Sequence, residues 1–123
     1  MKLHLASPKN RNIFTGHGPG YVAVNGAAYR APLLVTVDSI VEDWPVSGIA
    51  MLTAEAVRRL LDHTPEIIIL GTGAAQQFPE PAALQPLYAA RIGLEIMDTP
   101  AACRTYNILA AEERRVLAAM WPP

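Results

Sequence analysis

Two apolar segments in the second half of the chain constrain the fold more than any other feature. The first, at residues 67–70, is the unbroken run Ile-Ile-Ile-Leu, and the second lies at residues 92–97. Such a run is typical of a parallel strand that is covered on both faces. Residues 82–90 favour a helix between them, so the pattern predicts two parallel strands joined by a right-handed crossover. An earlier helix is predicted at residues 54–61, with Thr53 as its N-cap.

A final helix is predicted after the second strand. Asp98 or Thr99 is a suitable N-cap, and the spacing of the apolar residues extends the helix to about Met120. Glu113 then falls within the apolar face of that helix, where a carboxylate is out of place. Trp121 follows as an apolar tip, which we expect either to dock on the body of the protein or to meet a partner.

The first half of the chain has the pattern of short strands and turns. Gly, Pro and Asn interrupt short apolar runs throughout residues 9–44. The pair Asn25-Gly26 tolerates positive φ angles, so it predicts a tight β-hairpin. The β-branched run at residues 33–37 predicts a strand in the interior of the sheet, and residues 40–41 either continue it or pair beside it.

The composition predicts one folded domain. The chain has 123 residues, of which 51% are hydrophobic and 17% are charged, and its net charge is -1. Without a basic surface, nucleic-acid binding is not expected. Residues 1–8 lack the apolar core of a signal peptide, and no run is long enough to span a membrane, so we expect a soluble, unprocessed cytoplasmic protein. The fold class is α/β: a single domain over residues 1–123, with a strand-rich first half followed by helix, strand, helix, strand and helix.

The carboxyl ends of the two parallel strands are the predicted site, because ligands of open α/β sheets bind there. Two glycines allow a close approach of the backbone to a ligand, and the hydroxyl and guanidinium groups nearby suit a small anion or a carboxylate. The candidate ligand-binding residues are Gly71, Thr72, Gly73, Asp98, Thr99, Arg104 and Asn107. Dinucleotide binding is disfavoured, since Gln76 stands where the third glycine of the fingerprint belongs.

Structural explanations exist for the same residues. The glycines can simply let the chain leave its strand sharply and pass over the next helix. Arg104 can pair with Asp98 or with a carbonyl at the end of a strand, and Asn107 can tie down the loop at Gly71. The glycine-rich segment at residues 16–20 lacks the lysine of a phosphate-binding loop, so a plain turn is predicted there.

No catalytic set, metal site or cofactor is predicted. Cys103 lies in the first turn of the final helix, where the helix dipole lowers the pKa of a thiol, but no histidine has a spacing that makes it a partner base. We therefore favour a packed, unreactive cysteine. The three histidines and one cysteine contain no pair at metal-binding spacing.

Four segments together resemble a known family. They are EIIILGTG at 66–73, Phe78-Pro79, GLEIMDT at 93–99 and ACRTYNIL at 102–109. The chain resembles, over nearly its whole length, the small bacterial and archaeal domain of unknown function called MTH-nine-three-eight-like. Its eukaryotic relatives include a mitochondrial assembly factor for respiratory complex I and an adipogenesis-associated protein. The resemblance implies a single α/β domain with a mixed sheet between helices, and it brings no established reaction.

Two functions follow as hypotheses. The assembly-factor branch and the missing catalytic set favour a non-enzymatic module that binds or assembles proteins. The alternative is a small-molecule or anion-binding protein, or an enzyme, with its site at the ends of strands 67–70 and 92–97. A homodimer through an exposed sheet edge or the final helix is a further expectation.

Overall fold

Short strands follow one another up to Glu42, and helices and strands alternate after that point. The computed structural model describes residues 2–5 and 11–123. The strands within these residues are β1 (Lys2–Leu5), β2 (Phe14–Gly18), β3 (Tyr21–Val24), β4 (Ala27–Tyr29), β5 (Leu33–Val35), β6 (Ser39–Glu42), β7 (Ile67–Thr72), β8 (Gly93–Met97) and β9 (Val116–Trp121). The α-helices are α1 (Ala54–Leu60), α2 (Gln85–Ala89) and α3 (Thr99–Ala111), with 3-10 helices at Ile49–Met51, Leu61–His63 and Pro81–Leu84.

A six-stranded mixed sheet forms the centre of the molecule, in the order β1-β6-β5-β9-β7-β8. Strand β7 lies between β9 and β8 and is parallel to both, whereas β5 pairs antiparallel with β9 and β6. The side chains of β7 alternate between the two faces, with Ile68 and Leu70 on one and Ile69 on the other. The α/β class with a mixed sheet between helices is confirmed.

The two faces of the sheet have different covers. On the first face lie α1, α2 and the segment between β6 and α1. Val57 of α1 and Leu87 of α2 are buried in the core there. On the second face lie α3 and a small antiparallel sheet in the order β2-β3-β4. The rings of Phe14 and Tyr106 meet edge to face there, with their centroids 5.0 Å apart. The small sheet is therefore joined to the body through α3.

The predicted hairpin and the first helix are confirmed. Asn25 and Gly26 have φ angles of 52° and 83° and connect β3 to β4, as a tight turn with two positive φ angles requires. The hydroxyl of Thr53 accepts a hydrogen bond from the N–H of Ala56 at 3.1 Å, which caps α1. Strand β6 pairs beside β5 rather than continuing it.

The prediction that the final helix reaches about Met120 is wrong. Helix α3 ends at Ala111, and β9 then lies between β5 and β7 with all six residues buried. In a continuous apolar run, every position is apolar, so the run fits the spacing of a helix face as well as that of a strand. Periodicity alone therefore does not distinguish a helix from a strand here. Glu113 is exposed in the connecting turn with a φ of 61°, and its misfit on a helix disappears.

The C-terminal tryptophan docks on the body of the protein. Trp121 is buried as the last residue of β9, and its indole N–H donates to the carbonyl of Val46 at 2.7 Å. Its ring lies 5.3 Å from that of Trp44. Among the alternatives for this residue, docking is confirmed.

The expected absence of a signal peptide in residues 1–8 stays a prediction, because Met1 and residues 6–10 lie outside the described part of the chain. Within the described part, none of the helices has the length and the apolar character needed to cross a bilayer.

A substitution in β9 tests its central position. Leu117 is fully buried, so we expect Leu117→Ala to lower the free energy of unfolding by about 2–5 kcal/mol. Ile108 on α3 is 61% exposed, and Ile108→Ala is expected to change it by no more than about 0.5 kcal/mol. Urea unfolding measures both, and equal losses in the two variants would contradict this placement of β9.

Candidate functional site

The hydroxyl of Thr99 joins three elements at the carboxyl edge of the sheet. It donates to the carbonyl of Trp121 at the end of β9, at 2.6 Å, and accepts from the N–H of Gly73 after β7, at 2.8 Å. The backbone N–H of Thr99 donates to the carbonyl of Gly73 at 2.8 Å. The side chain is fully buried at the start of α3. The structure thus brings Gly73 and Thr99 together, as predicted, and both polar groups of Thr99 have protein partners.

The hydroxyl of Thr72 organises the loop that follows β7. It donates to the carbonyl of Ala75 at 2.7 Å, accepts from the N–H of Gln77 at 3.1 Å, and lies 3.2 Å from the carbonyl of Met97 on β8. The side chain of Gln76 donates to the carbonyl of Ile96 at 2.9 Å. These bonds fix the loop to the end of β8.

The two glycines have steric and conformational reasons to be glycine. A Cβ on Gly71 would lie 2.5 Å from the sulfur of Met120 and 3.0 Å from the Cβ of Ala102, so α3 packs directly on this part of β7. Gly73 has a φ of 98°, a backbone angle that residues with a Cβ rarely adopt. The geometry accounts for both residues without a ligand.

The backbone N–H groups in the first turn of α3 are hydrogen-bonded within the protein. The carboxylate of Asp98 accepts from the N–H of Ala101 at 2.8 Å, and the N–H of Ala102 donates to the carbonyl of Asp98 at 2.9 Å. Pro100 has no N–H, and that of Thr99 is bonded to the loop after β7. Helix N-termini bind anions through unpaired N–H groups, and here those groups are satisfied within the protein.

Asn107 holds the small sheet. Its side-chain carbonyl accepts from the N–H of Phe14 at 2.9 Å, and its amide donates to the carbonyl of the same residue at 2.8 Å. The side chain thereby replaces a neighbouring strand at the start of β2. The prediction that it ties down the loop at Gly71 is wrong. Its partner is 93 residues away in the chain, and no local sequence signal identifies such a contact.

Arg104 extends into solvent. Its side chain is exposed, and within the described residues it makes no hydrogen bond or ion pair. The predicted pairing with Asp98 or with a strand-end carbonyl is therefore wrong. Of the seven candidate residues, Arg104 is the one whose charged group faces water, and a ligand role for the set stays a prediction.

Cys103 is a packed residue with a protonated thiol. It is buried against the second face of the sheet, and this burial raises the pKa of its thiol to about 11, although the nearby charge of Arg104 acts in the opposite direction. The net shift is therefore opposite to the lowering expected at a helix start, because desolvation is the larger effect. In the part of the chain that the structure describes, no group of three or more His, Cys, Asp and Glu side chains is arranged to hold a metal.

Two features of the surface were missed from the sequence. Phe78 is 69% exposed in the loop after β7. The sequence pattern identified it only as part of a segment that resembles the family. A cavity of ≈ 610 Å³ lies between the sheet and α1, away from the strand ends, and Trp44 and Arg59 are among its lining residues. None of the seven predicted site residues lines this cavity. Exposure of an aromatic side chain and an uncovered sheet face depend on the packing of distant segments, which local patterns do not report.

Comparison with known proteins gives one family. A family model described as "Protein of unknown function (DUF498/DUF598)" matches residues 14–121. A Danio rerio protein named NADH dehydrogenase (ubiquinone) 1 alpha subcomplex assembly factor 3 is 31% identical over 113 residues, which are 90% of this chain and 64% of that protein. The chain thus spans less than two thirds of the length of this relative.

Solved structures share the fold. The crystal structure of a Bordetella parapertussis protein, a structural-genomics target, has a TM-score of 0.87 and 37% identity, covering 95% of this chain and 100% of the other. A solution structure from Bordetella pertussis, described as a Mth938-like domain, has a TM-score of 0.79 and 32% identity, covering 99% and 92% of the two chains. The similarity extends over almost the entire domain, and the resemblance inferred from the sequence is confirmed.

The close contact at Gly71 is open to a direct test. We expect Gly71→Ala to lower the free energy of unfolding by about 1–3 kcal/mol, because the added methyl group overpacks the contact with Met120 and Ala102. Gly48→Ala is the matched control, since its Cβ would meet nothing within 4 Å and its φ is -175°. Urea unfolding of the two variants should separate them, and a neutral Gly71→Ala would contradict the proposed packing.

Proposed function

We propose that this chain, which belongs to the DUF498/DUF598 family of proteins of unknown function, is a non-catalytic module that binds another protein. The family supplies no reaction. Relatives such as the Danio rerio protein carry the name of an assembly factor for NADH dehydrogenase, and we extend to this chain the general idea of holding a partner during assembly. A respiratory-chain subunit is the first partner to look for.

The exposed side chain of Phe78 carries the proposal. Its ring is 69% exposed, and the loop that presents it is fixed by the hydrogen bonds of Thr72 and Gln76. Pro79, the next residue, is buried, and it anchors the loop directly after Phe78 in the chain. An aromatic side chain on a rigid loop loses little conformational entropy on binding, and aromatic residues dominate the energy of many protein interfaces.

The polar groups of the strand ends support the same conclusion. The hydroxyls of Thr72 and Thr99, the carboxylate of Asp98 and the amide of Asn107 all bond to backbone groups of the protein. These bonds define the shape of the loop and of the helix start. We infer that Thr72, Thr99 and Asp98 maintain the surface that Phe78 belongs to, rather than form a reaction centre.

Affinity capture with matched variants tests this function. The tagged full chain is used as bait in a native lysate of its source cells, together with Phe78→Ala and, as control, Ile108→Ala. Ile108 is 61% exposed, a similar fraction, but it lies on α3. We expect the wild type and the Ile108→Ala control to recover the same partner, and Phe78→Ala to recover at least about tenfold less, as measured by quantitative mass spectrometry.

The proposal fails if the wild-type bait recovers nothing beyond a tag-only bait, or if Phe78→Ala recovers as much partner as the control does. Circular dichroism of each variant ensures that a lost partner does not reflect a lost fold. Recovery of a partner that is unrelated to respiration supports the binding module and contradicts the link to respiratory complexes.

A second candidate is a small-anion site or an enzyme at the ends of β7 and β8. The observation in its favour is the solvent-facing guanidinium of Arg104, in the second turn of the helix that starts at these strand ends. In this case a nucleotide, a sugar phosphate or an organic acid should raise the melting temperature of the wild type, and Arg104→Ala should lose most of that shift. A wild-type protein that none of these ligands stabilises leaves this candidate without support.

A further inference from the structure

An apolar row crosses the first face of the sheet and extends beyond the helices. Leu3 of β1 is paired with Val41 of β6, which is paired with Leu34 of β5, which in turn faces Ala119 of β9. Ala119 is fully buried, Leu34 is 5% exposed and Val41 is 7% exposed, but Leu3 is 59% exposed. At the edge strand β1, the apolar row therefore extends beyond the helices that cover the rest of this face.

The cover is narrower than the sheet. Neighbouring strands lie about 4.8 Å apart and a helix with its side chains is about 10 Å wide, so two helices cover about four strands. The sheet has six strands, and α1 and α2 lie on this face. Trp44 and Val46, from the segment after β6, fill part of the remaining width. The rest is the cavity of ≈ 610 Å³, with Met51, 62% exposed, at its mouth.

One wall of this cavity, which is an open groove, is formed by α1, its N-cap Thr53 and the 3-10 helix Leu61–His63 that follows. The lining residues Thr53, Ala56, Arg59 and His63 recur at intervals of three or four and so form one stripe. The stripe is about 15 Å long at 1.5 Å per residue. An occupant that contacts all of it is elongated and lies beside α1.

The charges on this wall are complementary to a basic group. Glu55 and Arg59 form an exposed ion pair at 3.0 Å and so balance each other. Asp62 is exposed at the rim and makes no ion pair within the described residues, which leaves one uncompensated negative charge. A lysine or arginine of an occupant placed near Asp62 would compensate it, and an acidic residue there would be repelled.

We propose that this groove binds an amphipathic helix of a partner protein. About three turns of helix match the length of the stripe, and the part of the sheet face that Trp44 and Val46 leave uncovered takes the apolar side of that helix. Apolar side chains of the partner contact Leu3, Val41 and Met51, and a basic side chain lies beside Asp62. This is recognition of a helix in a groove, at a surface that is separate from the Phe78 loop.

A designed peptide serves as the probe. It has about 16 residues, with leucines at positions i, i+3, i+4 and i+7 and lysines beside them. A second peptide has the same composition in scrambled order, and a third has glutamate in place of lysine. Binding is measured by titration of the ¹⁵N-labelled full chain. We expect saturable binding of the first peptide, with chemical-shift changes in β1, β6 and α1, and at least about tenfold weaker binding of the scrambled peptide.

Five variants define the site: three in the groove and two controls away from it. Met51→Glu, and independently Leu3→Glu from the opposite side of the groove, should weaken the first peptide at least about tenfold, whereas Ile108→Glu should not. Both groove residues are exposed, so these changes leave the fold intact. Asp62→Lys should reverse the preference for the lysine peptide over the glutamate peptide, an effect of up to about fivefold for an exposed charge. Phe78→Ala should bind the peptide as tightly as the wild type does. Failure of the groove proposal can then be distinguished from failure of the proposed function, which depends on Phe78.

Four results would overturn the proposal, three of them from the peptide titrations. Those three are equal binding of the ordered and scrambled peptides, chemical-shift changes that lie away from the groove, and equal binding by Met51→Glu and Ile108→Glu. Saturable binding of a small apolar dye at the groove, without binding of the helical peptide, also overturns it and assigns the cavity to a small molecule.

Discussion

The hydroxyl of Thr99 is the contact on which the rest of the structure depends. It receives the N–H of Gly73 and donates to the carbonyl of Trp121, so one buried group joins the ends of two parallel strands to the start of α3. The bond to Gly73 fixes the point where the chain leaves β7, and the bond to Trp121 fixes the end of β9. Gly71 allows α3 to approach β7 closely enough for this contact. A buried hydroxyl with both partners present rigidifies its surroundings, and each partner left alone would lose its hydrogen bond in a place that water does not reach.

This arrangement changes the meaning of the strand ends. Their glycines, threonines and aspartate have the residue types of a ligand site, but their polar atoms bond to backbone groups of the protein. The same region's hydrogen bonds attach the loop after β7 to the body, with Phe78 exposed on its outside. Function is therefore sought on surfaces: at Phe78, where an aromatic side chain is held in solvent, and at the groove beside α1, where the apolar face of the sheet is wider than its cover.

Local chemistry explains which parts of the fold were predictable. The hairpin at Asn25-Gly26 and the cap at Thr53 depend on residues next to each other in the chain, and both were predicted correctly. The apolar run of β7 needs only its own composition to indicate a central strand. In contrast, Asn107 bonds to Phe14, 93 residues away, and the exposure of Arg104 depends on how the other described segments of the chain pack around α3. Contacts of this kind have no local pattern.

The sequence by itself determined the α/β class, the family, the hairpin of β3 and β4, strand β5, helix α1 and the start of α3, because turn residues, caps and apolar runs act over a few neighbouring positions. Only the tertiary structure decided that residues 116–121 form a strand, since their apolar run suits a helix as well as a strand, and the space between β5 and β7 offers backbone hydrogen bonds on both sides. It also decided that Cys103 is protonated, because burial by distant residues raises the pKa of the thiol more than the nearby charge of Arg104 lowers it. The same packing left Phe78 and Leu3 exposed, and exposure is a property of the assembled layers rather than of any segment of the chain.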